Sequence, residues 1–315
     1  EVGLAKRSRG MTFGGMAVVA LGILAALWAQ SAGSDERRIV IASKQFSEQY
    51  ILAQLIGSRL EAAGYAVEYR DGLGSAVVHS AVASSSVDIS VDYTGTIWAN
   101  FLKRTDNPGR EAMYQTIQEW EARENGVKVL GRLGFENAYA FAMRGERARE
   151  LGVTSLTDLV AVAPQLTVGG DPEFFERPEW IAVRDAYGLS FAKSRNFAPT
   201  FMYNALQSGE ADVISAYTSD GRIAADKLVV LADPKGALPS YDALLLLSPR
   251  IAGDAGVAKA LEPLMGAISV EAMREANLAV DREDAQKLTP KQAAEQLSKA
   301  LRRPGLDPGP LTTKI

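Results

Sequence analysis

The chain reads as an α/β protein built from two domains, and three observations carry that reading. From Arg38 onward, short apolar runs alternate with stretches of helical periodicity, the pattern of strands covered by helices in a parallel sheet. The 315 residues exceed the size to which a single hydrophobic core grows. After LPSYDALLLLS the alternation stops, and the chain continues mostly as helix to its end.

Taken in order, RIVIAS is a buried strand. SEQYILAQLIGSRLEAAGY is an amphipathic helix, opened by Ser47 and closed near Gly64. AVEYR, the GLGS turn, SAVVHSAVASS and VDISVDY then give strand, loop, helix and strand. Residues 108–126 read as helix, VKVLGRLGF and AYAFAMR as strands, and SLTDLVAVA, LTVGG and the EFFERPEW region continue the alternation. ADVISAYTSD and KLVVLAD supply further strands, and SVEAMREANLAV and TPKQAAEQLSKAL are the clearest late helices. PGLDPGPLTTKI reads as a loosely packed tail.

The N-terminal stretch differs in kind. No charged residue lies between Arg9 and Asp35, and MTFGGMAVVALGILAALWA approaches the length of about 20 residues that spans a bilayer. Lys6, Arg7 and Arg9 precede it, which by the positive-inside tendency leaves the bulk of the chain outside the cytoplasm. Residues 1–37 are therefore read as a membrane helix or signal segment with a linker. A signal peptide cleaved within AQSAGS, a signal anchor and the last helix of a fused permease all fit.

Composition narrows the function. A net charge of −4 with scattered Lys and Arg gives no concentrated basic face for nucleic acid. Without cysteine there is no disulfide, thiolate nucleophile or lipoprotein anchor, and with a single histidine most hydrolytic and zinc chemistries lack their residues. No cofactor or metal is expected. Against this background Tyr93, Tyr139, Tyr217 and Tyr241 stand out, each where a strand runs into a loop: VDYTGT, ENAYAF, VISAYTSDGR and LPSYDALL. Rings turned toward one point offer their negative faces to a cation that donates no hydrogen bonds, such as trimethylammonium. Any one of the ten tyrosines can equally be core or rim packing.

The motifs S-K-x-F-x-E-Q at Ser43, D-Y-T-G-T at Asp92 and A-Y-x-x-D-G-R at Ala216, with EFFER and LPSYDALLLL, occur in this order and spacing. From Arg38 to the C-terminus the chain resembles the substrate-binding proteins of osmoprotectant ABC transporters, which serve glycine betaine, choline, carnitine and proline betaine. The resemblance implies a two-lobed type II periplasmic-binding fold with a ligand cleft between the lobes. Residues 38–137 and 242–315 would form lobe I, and residues 138–241 lobe II. It implies a cage of Tyr93, Tyr139, Tyr217 and Tyr241, with Tyr139 and Tyr241 near the crossover strands. Lys44, Thr96 and Arg177 would take the ligand carboxylate. The implied partners are a quaternary-ammonium solute and an ABC permease, separate or fused, with its ATPase on the cytoplasmic side. The implied place is the periplasmic or extracellular face of the membrane, tethered by the N-terminal helix.

Other signals are weaker. Gly72, Gly74 and Ser75 suggest a dinucleotide loop, but Val77 stands where the third glycine belongs, so a turn and helix start at the cleft is the simpler reading. His79 reads as packed, Asp220 and Arg222 as hinge residues, Asp92 as a loop-orienting or capping carboxylate, and Phe174 and Phe175 as core or pocket wall. Choline or ergothioneine is the alternative ligand, and Arg177 and Lys44 argue against choline alone. An enzyme would have only carboxylate or Ser/Lys chemistry, with no local motif for either.

Overall fold

The computed structural model describes residues 38–170, 174–197 and 199–301. Five strands form the first sheet: β1 (Arg38–Lys44), β2 (Ala66–Leu73), β3 (Ile89–Tyr93), β4 (Lys128–Glu136) and β10 (Asp242–Leu247), in the order β2-β1-β3-β10-β4. Every residue of β3 and β10 is buried, as a strand covered on both faces requires. One face packs on α1 (Ser47–Ala62) and on three late helices, α10 (Ala255–Leu261), α11 (Val270–Asp281) and α12 (Pro290–Leu301). The other packs on α2 (Ser75–Ala83), α3 (Thr94–Asn100) and α4 (Arg110–Trp120), which runs on into a π-helical turn at Glu121–Asn125.

The second sheet holds β5 (Tyr139–Arg144), β6 (Thr167–Gly170), β7 (Lys193–Asn196), β8 (Val213–Tyr217) and β9 (Leu228–Val230), ordered β7-β6-β8-β5-β9. Its helices are α5 (Gly145–Leu151), α6 (Leu156–Val162), α7 (Pro178–Tyr187), α8 (Pro199–Ser208) and α9 (Gly221–Ala225). Two apolar clusters cover its two faces. The chain passes from the first sheet to the second at Asn137 and Ala138 and returns between Val230 and Asp242.

Two sequence expectations need correction, one is refined, and one strand went unread. The sheets are mixed, not parallel: β10 runs antiparallel to β3 and β4, and β5 antiparallel to β8 and β9. Both strands arrive directly from the other lobe, without a crossover helix of their own, and so run away from the cleft. Helix α1 is buried around most of its circumference, at positions 51, 52, 53, 55, 56 and 57, because α12 and α11 cover the face expected to meet water. Ser47 begins α1 but does not cap it; its hydroxyl donates to Asp281. Strand β7, Lys-Ser-Arg-Asn, carried no apolar signal: it is an exposed edge strand, held to β6 by backbone bonds and guarded by charge.

The N-terminal segment 1–37 and the tail 302–315 lie outside the described residues. Among the described residues, no helix is long and apolar enough to cross a membrane.

Candidate functional site

The strands of each lobe that follow that lobe's own helices point their C-terminal ends at the other lobe, where ligand crevices form in α/β sheets. A cleft of about 610 Å³ lies there, and its lining includes Lys44, Tyr93, Thr96, Tyr139, Arg177, Tyr217 and Tyr241. Tyr93 ends β3 and Tyr217 ends β8, while Tyr139 opens β5 and Tyr241 directly precedes β10. Tyr139 and Tyr217 face each other across the β5–β8 ladder.

D-Y-T-G-T has a packing reason. A Cβ on Gly95 would lie 2.4 Å from Tyr241 Cζ, so only glycine lets that ring rest on the start of α3. Thr94 Oγ1 donates to the Ser240 carbonyl at 2.8 Å and accepts from the Asp242 amide at 3.0 Å, tying the same two segments together.

Three of the four tyrosines form one cluster. The Tyr139 and Tyr217 ring centroids are 4.8 Å apart at 41°, and Tyr139 and Tyr241 are 6.5 Å apart at 82°. The Tyr217 hydroxyl donates to that of Tyr139 at 2.9 Å, yet Tyr217 remains 42% exposed. The Arg177 guanidinium carbon lies 4.9 Å from the Tyr139 centroid. Burial pushes the Tyr139 hydroxyl well above its ordinary pKa. Burial and the neighbouring Glu179 do the same for Tyr241.

Tyr93 stands apart. It is buried in the lobe I wall, and its ring neighbour is Phe46, at 6.4 Å. Its hydroxyl donates to Glu48 Oε1 at 2.5 Å and accepts from Gln49 Nε2 at 3.0 Å. Lys44 Nζ lies 5.3 Å from the Tyr93 centroid and is paired with Asp92 Oδ1 at 2.5 Å, both side chains being buried. Asp92 Oδ1 also accepts from the Tyr93 amide at 2.7 Å, so Asp92 does orient this loop, as a buried ion.

Arg177 is paired as well. Its Nε and Nη2 reach the two oxygens of Glu179, each at 3.2 Å, and the Tyr241 hydroxyl donates to Glu179 Oε1 at 2.9 Å. Burial is the largest single effect on each partner and works against its charge, but the mutual bond together with the surrounding charges and hydrogen bonds exceeds it, leaving Arg177 above and Glu179 below its ordinary pKa. Thr96 lines the cleft from the first turn of α3, half-buried.

Sequence reading missed Glu48, Asn137, Asn277 and Glu179. Glu48 accepts from Tyr93, from Asn137 Nδ2 at 3.1 Å and from Asn277 Nδ2 at 3.1 Å, so one carboxyl joins α1, the crossover segment and α11. Burial raises its pKa against those bonds. Its signal stood in S-K-x-F-x-E-Q as the unassigned acid, and Glu179 is two residues beyond Arg177. The weaker candidates also find places. His79 is buried, bonded to Glu121 at 2.9 Å and stacked on Phe101. Phe174 is core behind Tyr139, with half-buried Phe175 edge-on against it. Asp220 caps α9, lines the cleft, and holds Arg222 and the Tyr203 hydroxyl.

Comparisons with known proteins agree with this architecture. Residues 37–300 match the family described as the substrate-binding domain of ABC-type glycine betaine transport systems. The chain is 29% identical over 252 residues to the ergothioneine transport permease/ergothioneine binding protein EgtU of Helicobacter pylori, a match spanning 78% of this chain but only 45% of that protein. It is 31% identical to a glycine-betaine-binding protein of Pseudomonas aeruginosa, over 64% of this chain and 69% of that one. It is 30% identical to the carnitine transport binding protein OpuCC of Listeria monocytogenes, over 79% and 83%. Among solved structures, a glycine betaine/carnitine/choline ABC transporter protein superposes with a TM-score of 0.78 at 25% identity, covering 83% of this chain and 98% of that one. The two-lobed periplasmic-binding fold and the family match lead to one conclusion: the chain belongs to the substrate-binding domains of ABC-type glycine betaine transport systems, and it is a transport receptor, not an enzyme.

Proposed function

We propose that this chain captures a quaternary-ammonium solute of the glycine betaine type between its lobes and delivers it to an ABC permease. It would act on the extracytoplasmic side of the membrane, tethered there through the N-terminal segment. Residues 38–137 and 242–315 act as lobe I and residues 138–241 as lobe II, in keeping with the two sheets. The observation that carries the reading is the clustering of Tyr139, Tyr217 and Tyr241 in the interlobe cleft, with Tyr217 still open to it. Tyr93 is the fourth wall, reached from lobe I when the lobes close.

The energetics suit such a solute. Each cation–π contact contributes about 0.5–2 kcal/mol, so four rings supply roughly 2–8 kcal/mol toward the ~8 kcal/mol of micromolar binding. Arg177, Lys44 and Thr96 would complete the site at the carboxylate end. A primary ammonium placed among the rings would forfeit about 1–3 kcal/mol for each unpaired donor, whereas trimethylammonium has none to lose. Ergothioneine is the second reading, favoured by the similarity to the Helicobacter pylori protein; it too carries a trimethylammonium group and a carboxylate.

Thermal-shift and calorimetric titration with glycine betaine, choline, carnitine, proline betaine and ergothioneine test this. At least one raises the melting temperature and binds, because a ligand selective for the folded state stabilises it. Free amino acids do not. Binding of none of the five would overturn the reading.

A further inference from the structure

Both cations assigned to a ligand carboxylate already hold an acid. Lys44 is paired with Asp92 deep in the lobe I wall, and Arg177 is gripped at two points by Glu179, which is 7% exposed. Glu179 is also the acceptor for Tyr241, one of the clustered rings. It sits in the first turn of α7, directly after Pro178, where the backbone N–H groups of the helix end favour negative charge. A carboxylate of the protein therefore stands where the carboxylate of a betaine would be received. A betaine reaching Arg177 has to take the guanidinium donors from Glu179, leaving that anion with Tyr241, or approach it as a like charge. A quaternary ammonium without a carboxylate meets neither obstacle, and it gains a negative charge beside the ring it stacks on.

From this geometry we infer that Glu179 tunes the charge preference of the receptor within the quaternary-ammonium class, shifting it from betaines toward choline-type cations by occupying Arg177. The inference rests on the tyrosine-cage reading and adds the ligand class to it. Glu179 is a positioning residue here: it acts through Arg177 and Tyr241. It also removes the objection to choline, because neither Arg177 nor Lys44 presents an uncompensated positive charge.

The test is calorimetry of choline and glycine betaine against wild type, Glu179→Gln and Glu179→Asp, each shown to be folded by its thermal melt. Glutamine keeps the size and an acceptor for Tyr241 but releases the guanidinium charge. It should tighten glycine betaine and weaken choline, moving the ratio of the two affinities by about tenfold, the equivalent of about 1.4 kcal/mol. Aspartate keeps the charge and should hold the wild-type ratio, which covers the case in which the glutamine variant fails to fold. Equal changes for both ligands, or an unchanged ratio in Glu179→Gln, would overturn the inference, since loss of structure alone cannot move two ligands in opposite directions. If neither ligand binds any of the three proteins, the cage reading falls and the inference with it. Binding of both with no shift in ratio removes the inference alone.

Discussion

The two walls of the cleft are built on opposite plans. On the lobe II side Tyr139 contacts both Tyr217 and Tyr241, the latter on the returning crossover, and Tyr217 is 42% exposed. On the lobe I side Tyr93, Lys44, Asp92 and Glu48 are all buried, each bonded to another member or to Gln49, Asn137 or Asn277. One wall keeps aromatic surface available; the other has spent its polar groups on itself. Substitutions in the two walls should thus be read by different assays, affinity for lobe II and stability for lobe I, although both contain residues of the same motif-derived set.

The largest expected effect is Lys44→Ala. It leaves Asp92 as a buried anion without its cation, and removing one partner of a buried pair costs about 3–5 kcal/mol. Denaturant unfolding checks this; a loss below about 1 kcal/mol would erase the contrast between the walls. Next comes Tyr93→Phe, which keeps the ring but strips Glu48 and Gln49 of a shared hydroxyl, for about 1–3 kcal/mol of stability. The paired control is Tyr217→Phe, expected to cost only about 0.5–1.5 kcal/mol because it gives up the bond to the Tyr139 hydroxyl at a residue that is 42% exposed. Equal losses would show that the lobe II rings are as deeply built in as Tyr93.

Tyr217→Ala or Tyr241→Ala should weaken the best-binding quaternary-ammonium ligand by about 1–2 kcal/mol in calorimetry, whereas phenylalanine at either position, which keeps the π face, should cost less. Two alanine variants binding as wild type would dissolve the cage.

The smallest effect is in the pH dependence of stability. Glu48 has its pKa raised above 4.5 by burial, so the folded state holds its proton more tightly than the unfolded chain does. Its contribution is fully present below 4.5 and is lost as pH rises through the folded value. Wild type should therefore lose stability relative to Glu48→Gln over that window. A difference independent of pH would mean that Glu48 titrates as in the unfolded chain.

Sequence made the lobes legible because largely buried strands announce themselves: IVIA and ALLLL are continuous apolar runs, whereas ISVDY, buried at all five positions, carries Ser90 and Asp92 between its apolar residues. It could not show β7, whose four exposed polar residues are a strand only because β6 lies beside them. The seven motif-derived residues do line one cleft, but their acid partners were hidden for two reasons. Asp92 meets Lys44 across the sheet at a separation of 48 residues, which no local pattern encodes. Glu179 is near Arg177 in the chain, yet an Arg and a Glu two positions apart meet only when a helix start turns both toward the same side. The mixed sense of the sheets escaped for a related reason: periodicity tells strand from helix and carries no direction.

The place of β10, between β3 and β4, has a consequence for how the chain is made. Lobe II is one continuous stretch and can assemble as soon as it has been synthesised, whereas the strand that joins β3 to β4 in lobe I comes only afterwards. Until DALLLL emerges, β3 and β4 present bare backbone edges, the template on which chains join one another wrongly. Closing so distant a pairing is intrinsically slow. Lesions in β10 should therefore lower the yield of soluble protein at concentrations and temperatures where the molecules that do fold still bind normally.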